Sequence, residues 1–463
     1  MKAGEMITNH PFDEIELGDQ TTWSKTITRD DIAMFALLAE DPTPAPSISS
    51  AGGNAASSWA AALASALLTS RFPGPGTIFV GESFKGQREI HAGDVLTITL
   101  TVREKLPLTQ SVVIDCTCKD AVGADVVSGQ MEVKAPTEKI VSRVGMLPEV
   151  KLRRHERYEQ LIRRCAEVAP FPTAVVHPCD ESSITAAVEA EKAGLLRPIF
   201  VGPTMKIKAA AAKAGIDIGS IPLIDAPHSH GAAEKAVELI RVGKAQLLMK
   251  GSLHTDELLG AVVKKEAGLR TERRISHCFI MDVPTYPKPL IITYAAVNIY
   301  PQLADKVDIV QNAIDLALAI GSEQPRVAIL SAIETVNPKI ASTLDAAALC
   351  KMADRGQITG GILDGPLAFD NAVSREAADI KGIRSPVAGQ ADILVVPNLE
   401  AGNMIYKNLS FLADSDGAGI VLGTRVPIIL TSRADSIRTK LASCAIGLLY
   451  LHARGPAIAS AAE

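Results

Sequence analysis

Beyond residue 155 the chain repeats one hydrophobic pattern: a short, almost wholly apolar run, a polar turn, then a stretch with helical spacing. Residues 173–177, 198–201, 245–250, 277–283, 290–294, 326–331, 393–396 and 427–431 are the strand candidates. A strand apolar on both faces has to be covered on both faces. The pattern therefore predicts a doubly wound α/β domain with a mostly parallel sheet clad by helices. Ligands on such sheets bind beyond the carboxyl ends of the strands, which is where the polar clusters of this region lie.

Before residue 135 the pattern is different. Thr28-Arg-Asp-Asp31 has a cap-like Thr and acids suited to a first helical turn, followed by Ile32, Phe35 and Leu38 on one face. A second helix is expected over 55–68, with Trp59, Leu63 and Leu67 amid alanines. Alternating segments then follow at 77–82, 84–90, 95–102, 112–118 and 126–133, separated by turn residues such as His91-Ala-Gly-Asp94. This reads as a small α+β domain with an antiparallel sheet. Residues 136–154, charged and broken by Pro136 and Pro148, suit a linker, giving domains at 1–135 and 155–463. A chain of 463 residues needs more than one core in any case.

Composition narrows the functions available. Net charge is −5 and the pI about 6.0, so there is no basic footprint for nucleic acid. Anionic ligands must be met by local Arg, Lys and backbone N–H groups. The N-terminus has acids and Pro where a signal peptide needs an apolar stretch, and no run approaches the ~18 apolar residues of a membrane span. Seven scattered cysteines do not make a disulfide framework. Cys116 and Cys118 share a strand face without a second Cys/His pair nearby, and read as half-buried strand residues rather than metal ligands. A cytoplasmic protein with no metal is expected.

Four clusters carry chemistry. Val426–Leu430 runs into Thr431-Ser432-Arg433-Ala434-Asp435, placing a hydroxyl, a guanidinium and a carboxylate where a strand is expected to meet the first turn of a helix. Arg433 suits a bidentate grip on phosphate, and Ser432 can donate to an oxygen that becomes negative during acyl transfer. Gly251-Ser-Leu-His-Thr-Asp256 offers His254 and Thr255 between a strand and a helix; Thr255 or Asp256 reads as the helix cap, and His254 as a ligand residue or a surface-loop histidine. Asp364-Gly365-Pro366 reads as a tight turn leaving a strand, with a second carboxylate, Asp370, close behind. Gly402 and Asn403 are expected to open the helix that carries Tyr406 and Lys407, where Asn403 either binds a ligand or caps the helix.

Together, Thr431–Asp435, Asp364-Gly-Pro-Leu-Ala-Phe-Asp370, Pro397-Asn-Leu-Glu-Ala-Gly-Asn403 and the Gly-x-x-His-Thr segment resemble the phosphate acetyl/butyryltransferase family. The resemblance implies a phosphate acyltransferase, isocitrate dehydrogenase-like in fold with two subdomains. It would exchange acyl groups between coenzyme A and phosphate, both as substrates, with no permanently bound cofactor. It implies Ser432 at the reacting carbonyl, Arg433 on phosphate, and His254, Thr255, Arg270, Asp364, Gly365, Pro366, Asp370, Gly402, Asn403 and Lys407 around the substrates. The family's acetyl-specific members carry an aspartate where this chain has Thr439, and an arginine where Phe411 stands. Gly268-Leu-Arg270-Thr271, Asn403-Met-Ile-Tyr-Lys407 and Lys440 are closer to the butyryl branch, leaving Asp435 as the candidate base or as a cap of the last helix.

Phe35-Ala-Leu-Leu-Ala-Glu-Asp41-Pro-Thr-Pro44, with the turns Pro73–Gly76 and His91–Asp94, resembles the MaoC-like hydratases of hotdog fold. That family pairs an Asp with a His five positions on; here Asp41 is followed at that distance by Pro46, which has no proton to move. Losing one proton carrier costs about 10²–10⁴-fold in rate, so the hydratase site is expected to be impaired. The domain would then serve dimerisation or acyl-CoA binding. A bifunctional hydratase/acyltransferase and a non-catalytic acyl-CoA-binding protein are the alternatives. A nicotinamide-dependent dehydrogenase is disfavoured, because Gly417-Ala-Gly419-Ile-Val-Leu-Gly423 lacks the dinucleotide spacing. A homo-oligomer is expected, since an open sheet edge is a liability unless paired.

Overall fold

The computed structural model describes residues 4–38, 55–146, 150, 156–432 and 435–455, with 55–58 and 156 described by backbone alone. The chain divides into two compact units, Met1–Arg153 and Arg154–Glu463.

The first unit contains strands β1 (Met6–Thr8), β2 (Gln20–Thr26), β3 (Ile78–Gly86), β4 (Val95–Leu106), β5 (Ser111–Lys119), β6 (Asp125–Lys134) and β7 (Val141–Arg143). Five of them form an antiparallel sheet in the order β2-β4-β5-β6-β3. The helix Ala55–Ser70 buries Ala60, Ala64, Leu67 and Leu68 in one core with Leu100, Ile114, Met131 and Val133. Thr28 and Asp31 cap the helix Arg29–Leu38 reciprocally: the Thr28 hydroxyl accepts from the Asp31 amide at 3.0 Å, and the Asp31 carboxylate from the Thr28 amide at 2.9 Å. Cys116 and Cys118 are buried rather than half-buried, and all seven cysteines are free. Residues 141–143, expected in a linker, pair with β1 as part of this unit.

The second unit holds β8 (Phe171–Val176), β9 (Leu196–Gly202), β10 (Leu223–Asp225), β11 (Leu247–Lys250), β12 (Ser276–Asp282), β13 (Leu290–Thr293), β14 (Arg326–Leu330), β15 (Ile362–Leu367), β16 (Ile393–Val395), β17 (Asp416–Leu422) and β18 (Ile428–Ile429). They form one sheet in the order β10-β9-β8-β11-β18-β17-β12-β13-β16-β14-β15. The first five run parallel to one another, and so do the last four. Between these halves β17 and β12 pair antiparallel with their neighbours, so the halves point in opposite directions. Apolar runs predict burial on both faces but not direction, which is why this reversal was not legible in them. Clusters of buried Ile, Val, Leu and Ala cover both faces. No helix among the described residues is long and apolar enough to cross a membrane.

Candidate active site

The strand β18 stops at Ile429, and the last helix, Ile437–Arg454, begins only after a loop. Its cap is Ser436, whose hydroxyl accepts from the Thr439 amide at 3.2 Å. Ser432 therefore lies before the helix rather than in its first turn, and Asp435 is not the cap. The carboxylate of Asp435 instead accepts from the Ser432 amide at 2.6 Å, which fixes the bend of the loop. Arg433 lies outside the described residues.

This loop borders a cleft of about 410 Å³ on one face of the sheet. Thr431, Ser432 and Asp435 line it, as do Lys250 at the end of β11 and Leu253, His254 and Thr255 beyond that strand. His277 and Phe279 of β12 line it as well, together with Ala296 and Tyr406. The rings of Phe279 and Tyr406 stack with centroids 3.6 Å apart and planes 5° apart, making a flat apolar wall. The parallel half of the sheet explains the convergence. β11 and β18 are paired neighbours, Leu248 with Ile428, so the turns leaving both strands open at the same edge.

Two lysines give this edge its charge. Lys250 is 7% exposed and Lys440 3% exposed, and both border a small cavity with Ser183, Thr431 and Ser432. Lys440 donates to the Ser182 hydroxyl at 2.5 Å. Burial holds its ammonium below the usual lysine range, opposed by the carboxylates of Asp180 and Asp435. Asp435 moves the other way. Burial raises its carboxyl above the ordinary range, opposed by the Ser432 amide and by Lys440 and Lys250.

His277 stands apart. It is fully buried, and neither ring nitrogen has a hydrogen-bond partner. Burial pushes its pKa down to about 3, so the imidazole is neutral. An unsatisfied buried polar group costs about 1–3 kcal/mol, which is not a natural price for simple packing. In the sequence His277 follows Ser276 at the start of an apolar run and carries no local signal of function. Lys250, at the end of another such run, is equally silent.

The other expected residues are placed as follows. His254, not Thr255 or Asp256, caps the helix Thr255–Val262, and its amide donates to Glu257 at 3.0 Å. Arg270 is exposed, forms an isolated bridge with Thr424 and is not among the residues that line the cleft. Gly402 and Asn403 do not open their helix. Asn398 caps Leu399–Leu412, accepting from the Ala401 amide at 2.9 Å. Gly402 instead lets this helix close on the sheet edge, since a Cβ there would meet Val396 at 2.9 Å and Ala295 at 3.0 Å. Asn403 is half-buried and Lys407 exposed on the same helix, and Tyr406 is the residue of that helix that reaches the cleft.

Asp364-Gly365-Pro366 is not a turn leaving a strand. It lies within β15, and the Gly365–Pro366 peptide is cis. Asp364 accepts from the Gly365 amide at 2.8 Å, and a Cβ at Gly365 would come within 2.6 Å of the Ile329 carbonyl. Asp370 pairs with Lys381 at 3.1 Å, which holds its carboxyl below the usual range. Following the pairing from Asp364 through Ala328, Leu394 and Ile292 leads to Phe279. Asp364 and Phe279 thus occupy one lateral row, separated by four strand spacings or ~19 Å. The structure brings Ser432, Asp435, His254, Thr255 and Lys250 together and leaves the Asp364–Asp370 segment at the far edge of the sheet. Among the described residues no group of His, Cys, Asp and Glu is arranged to hold a metal ion.

A cleft of this kind at the end of parallel strands, with a serine, a carboxylate and buried ammonium groups, has the groups that transfer between anionic substrates requires. The family model for phosphate acetyl/butaryl transferase matches residues 229–448. The chain is 63% identical to the phosphate acetyltransferase of Rhizobium meliloti over 294 residues, covering 64% of this chain and 93% of that protein. It is 44% identical to the phosphate butyryltransferase of Clostridium acetobutylicum over 292 residues, covering 63% and 97%. Among solved structures, the branched-chain phosphotransacylase from Enterococcus faecalis V583 matches at 30% identity with a TM-score of 0.54, over 61% of this chain and 99% of that one. The N-terminal region matches the R-hydratase PhaJ1 from Pseudomonas aeruginosa at 29% identity and a TM-score of 0.29. The chain belongs to the phosphate acetyl/butyryltransferase family and is an acyltransferase.

Proposed function

We propose that the second unit exchanges an acyl group between coenzyme A and inorganic phosphate at the cleft around Ser432. In the direction of acyl-CoA synthesis, the thiolate attacks the carbonyl of an acyl phosphate and phosphate leaves. Asp435 is the candidate base for the thiol. Its raised pKa narrows the gap to a free thiol near 8.5, and its bond to Ser432 holds it at the reacting centre. The Ser432 hydroxyl donates to the carbonyl oxygen as charge builds there. Lys250 and Lys440, with Arg433, take the phosphate. At an effective dielectric near 20, each ammonium within about 4 Å of a phosphate charge contributes ~4 kcal/mol, so this corner favours the most anionic part of either substrate. His254 and Thr255 border the entrance, while Phe279, Tyr406 and Leu253 offer the acyl chain an apolar wall.

The observation that carries this reading is the pairing of Ser432 with Asp435 beside two buried lysines. Identity to the Rhizobium meliloti enzyme supports acetyl as the preferred acyl group. The Ser-Arg-Ala-Asp-Ser segment with Lys440 favours butyryl as the second reading. Thiol release from acetyl-, propionyl- and butyryl-CoA, with and without phosphate, tests both. Release independent of phosphate overturns the reading. Coenzyme A and phosphate enter as substrates, and no prosthetic group is invoked.

The eleven-stranded sheet reads as two subdomains, one around each parallel half, joined at β17 and β12. Residues 1–135 read as a hotdog domain with an impaired hydratase site; Asp41 and Pro46 lie outside the described residues. The full chain should hydrate crotonyl-CoA poorly, and a robust rate assigns it both activities. A homo-oligomer and a cytoplasmic location fit the same reading.

A further inference from the structure

Of the described ionisable side chains, His277 alone has buried polar atoms without a partner, and it has two. It lines the Ser432 cleft, with its ring edge against Phe279 at a centroid distance of 4.3 Å and 69° between planes. The same ring also meets β17. A Cβ built at Gly419 would fall 3.1 Å from Nε2, so the imidazole occupies space that any other residue at 419 would fill. Gly419 is also where β17 meets the reactive loop, because its carbonyl accepts from the Leu430 amide at 3.2 Å. His277 therefore reaches from β12 across β17 towards the backbone two residues before Ser432. A buried nitrogen left unsatisfied beside a substrate cleft calls for a partner, and a bound substrate can supply one.

We propose that His277 is a catalytic residue whose Nε2–H donates a hydrogen bond to the acyl carbonyl oxygen in the transition state, alongside the Ser432 hydroxyl. This rests on the reading of the cleft given above. As the thiolate sulfur bonds to the carbonyl carbon, the C=O π pair moves onto oxygen, where both donors meet it. The pair returns as the bond from carbon to the phosphate oxygen breaks, and phosphate leaves with that bond's electrons. No proton changes hands at His277. An imidazole kept neutral by burial suits this task, since it retains its donor proton and brings no charge of its own to the ground state.

The test uses the full chain with acetyl-CoA and phosphate as probes, reading kcat, each KM and Tm. His277→Leu is expected to lower kcat by about 10²–10³-fold, the usual cost of one lost oxyanion donor, with both KM values within about threefold. Its Tm should hold or rise, because two unsatisfied nitrogens are removed. His277→Gln, which restores an N–H donor, should recover about tenfold of the loss. Where leucine does not fold, His277→Phe keeps a ring against Phe279, lacks both nitrogens and decides the matter in the same way. A kcat within about threefold of the parent for the leucine or phenylalanine variant overturns the proposal. So does a glutamine variant no faster than leucine with Tm falling in both, which assigns the residue to packing. Ser432→Ala separates the two levels. If it too is as fast as the parent, the cleft itself is misassigned; if it is slow while the His277 variants are fast, only the role of His277 fails.

Discussion

The amide of Ser432 donates to Oδ2 of Asp435 at 2.6 Å, and the amide of Asp435 faces back to the Ser432 carbonyl at 3.3 Å. This closed loop keeps the serine and the carboxylate together before the last helix begins. It also couples their chemistry, because the same N–H that orients the loop stabilises the ionised form of Asp435 against its burial.

That balance has a pH consequence. Burial raises the Asp435 pKa, so the proposed base is deprotonated only above the ordinary carboxylate range, and the rate should rise through a limb displaced upward from that of a free carboxylate. Asp435→Asn should lower kcat by about 10²–10⁴-fold and flatten that limb in a pH–rate profile. Stability has the opposite sign. A raised folded pKa contributes stability below the unfolded value and loses it as pH rises through the folded one. The asparagine variant should therefore gain Tm relative to the parent as pH rises towards neutrality. An acid limb that persists unchanged in the variant assigns the proton to another group.

Lys440 gives a matched case with the charge reversed. Its folded pKa is depressed by burial, so the stability linked to it is full above the unfolded value near 10.5 and is lost as pH falls through the folded value. Lys440→Met should hold or raise Tm at neutral pH while increasing the KM for phosphate by about 10–100-fold. Lys250→Met, from the neighbouring strand, should do the same to phosphate. Arg433→Ala should weaken phosphate use strongly as well. Initial rates across a phosphate titration check all three, and unchanged phosphate KM values would place the anion elsewhere.

The alternation of apolar strand and helix was legible because burial on both faces leaves a continuous apolar run. The proximity of Ser432 and Asp435 was legible because their spacing is local. Sheet order is not local. Asp364-Gly-Pro reads as turn chemistry in any context, yet β15 pairs with β14 at the edge and carries it away from Ser432. Asn403 reads as a ligand residue or a cap, and Asn398 takes the cap. His277 and Lys250 were hidden for a different reason: each is a polar residue in or beside an apolar run, and its meaning depends on what lies across the neighbouring strands.

Gly402 offers a test of the apolar wall of the cleft. A methyl at this position would lie 2.9 Å from Val396 and 3.0 Å from the Ala295 backbone, closer than either can yield without moving the helix Leu399–Leu412. Gly402→Ala should cost about 1–3 kcal/mol of stability, as overpacking usually does. Because Tyr406 is one turn further along, its stack on Phe279 should loosen as well. Denaturant unfolding reads the first effect. A loss of discrimination among acetyl-, propionyl- and butyryl-CoA reads the second, and retained stability with retained discrimination means the helix tolerates the shift.

The distant acids divide binding from chemistry. Asp364 is ~19 Å along the sheet row from Phe279, too far to touch a reacting carbonyl at Ser432. Asp370 is half exposed and paired with Lys381, an ion pair that solvent screens. Neither side chain is expected to move a proton at the cleft. Substitutions Asp364→Asn and Asp370→Asn should therefore leave kcat within about threefold and Tm nearly unchanged. Any role these acids have with the long coenzyme A molecule should appear in its KM alone. A fall of 10²-fold or more in kcat for either variant, with the KM for coenzyme A unchanged, would mean that the catalytic centre is at β15 and not at the loop after β18.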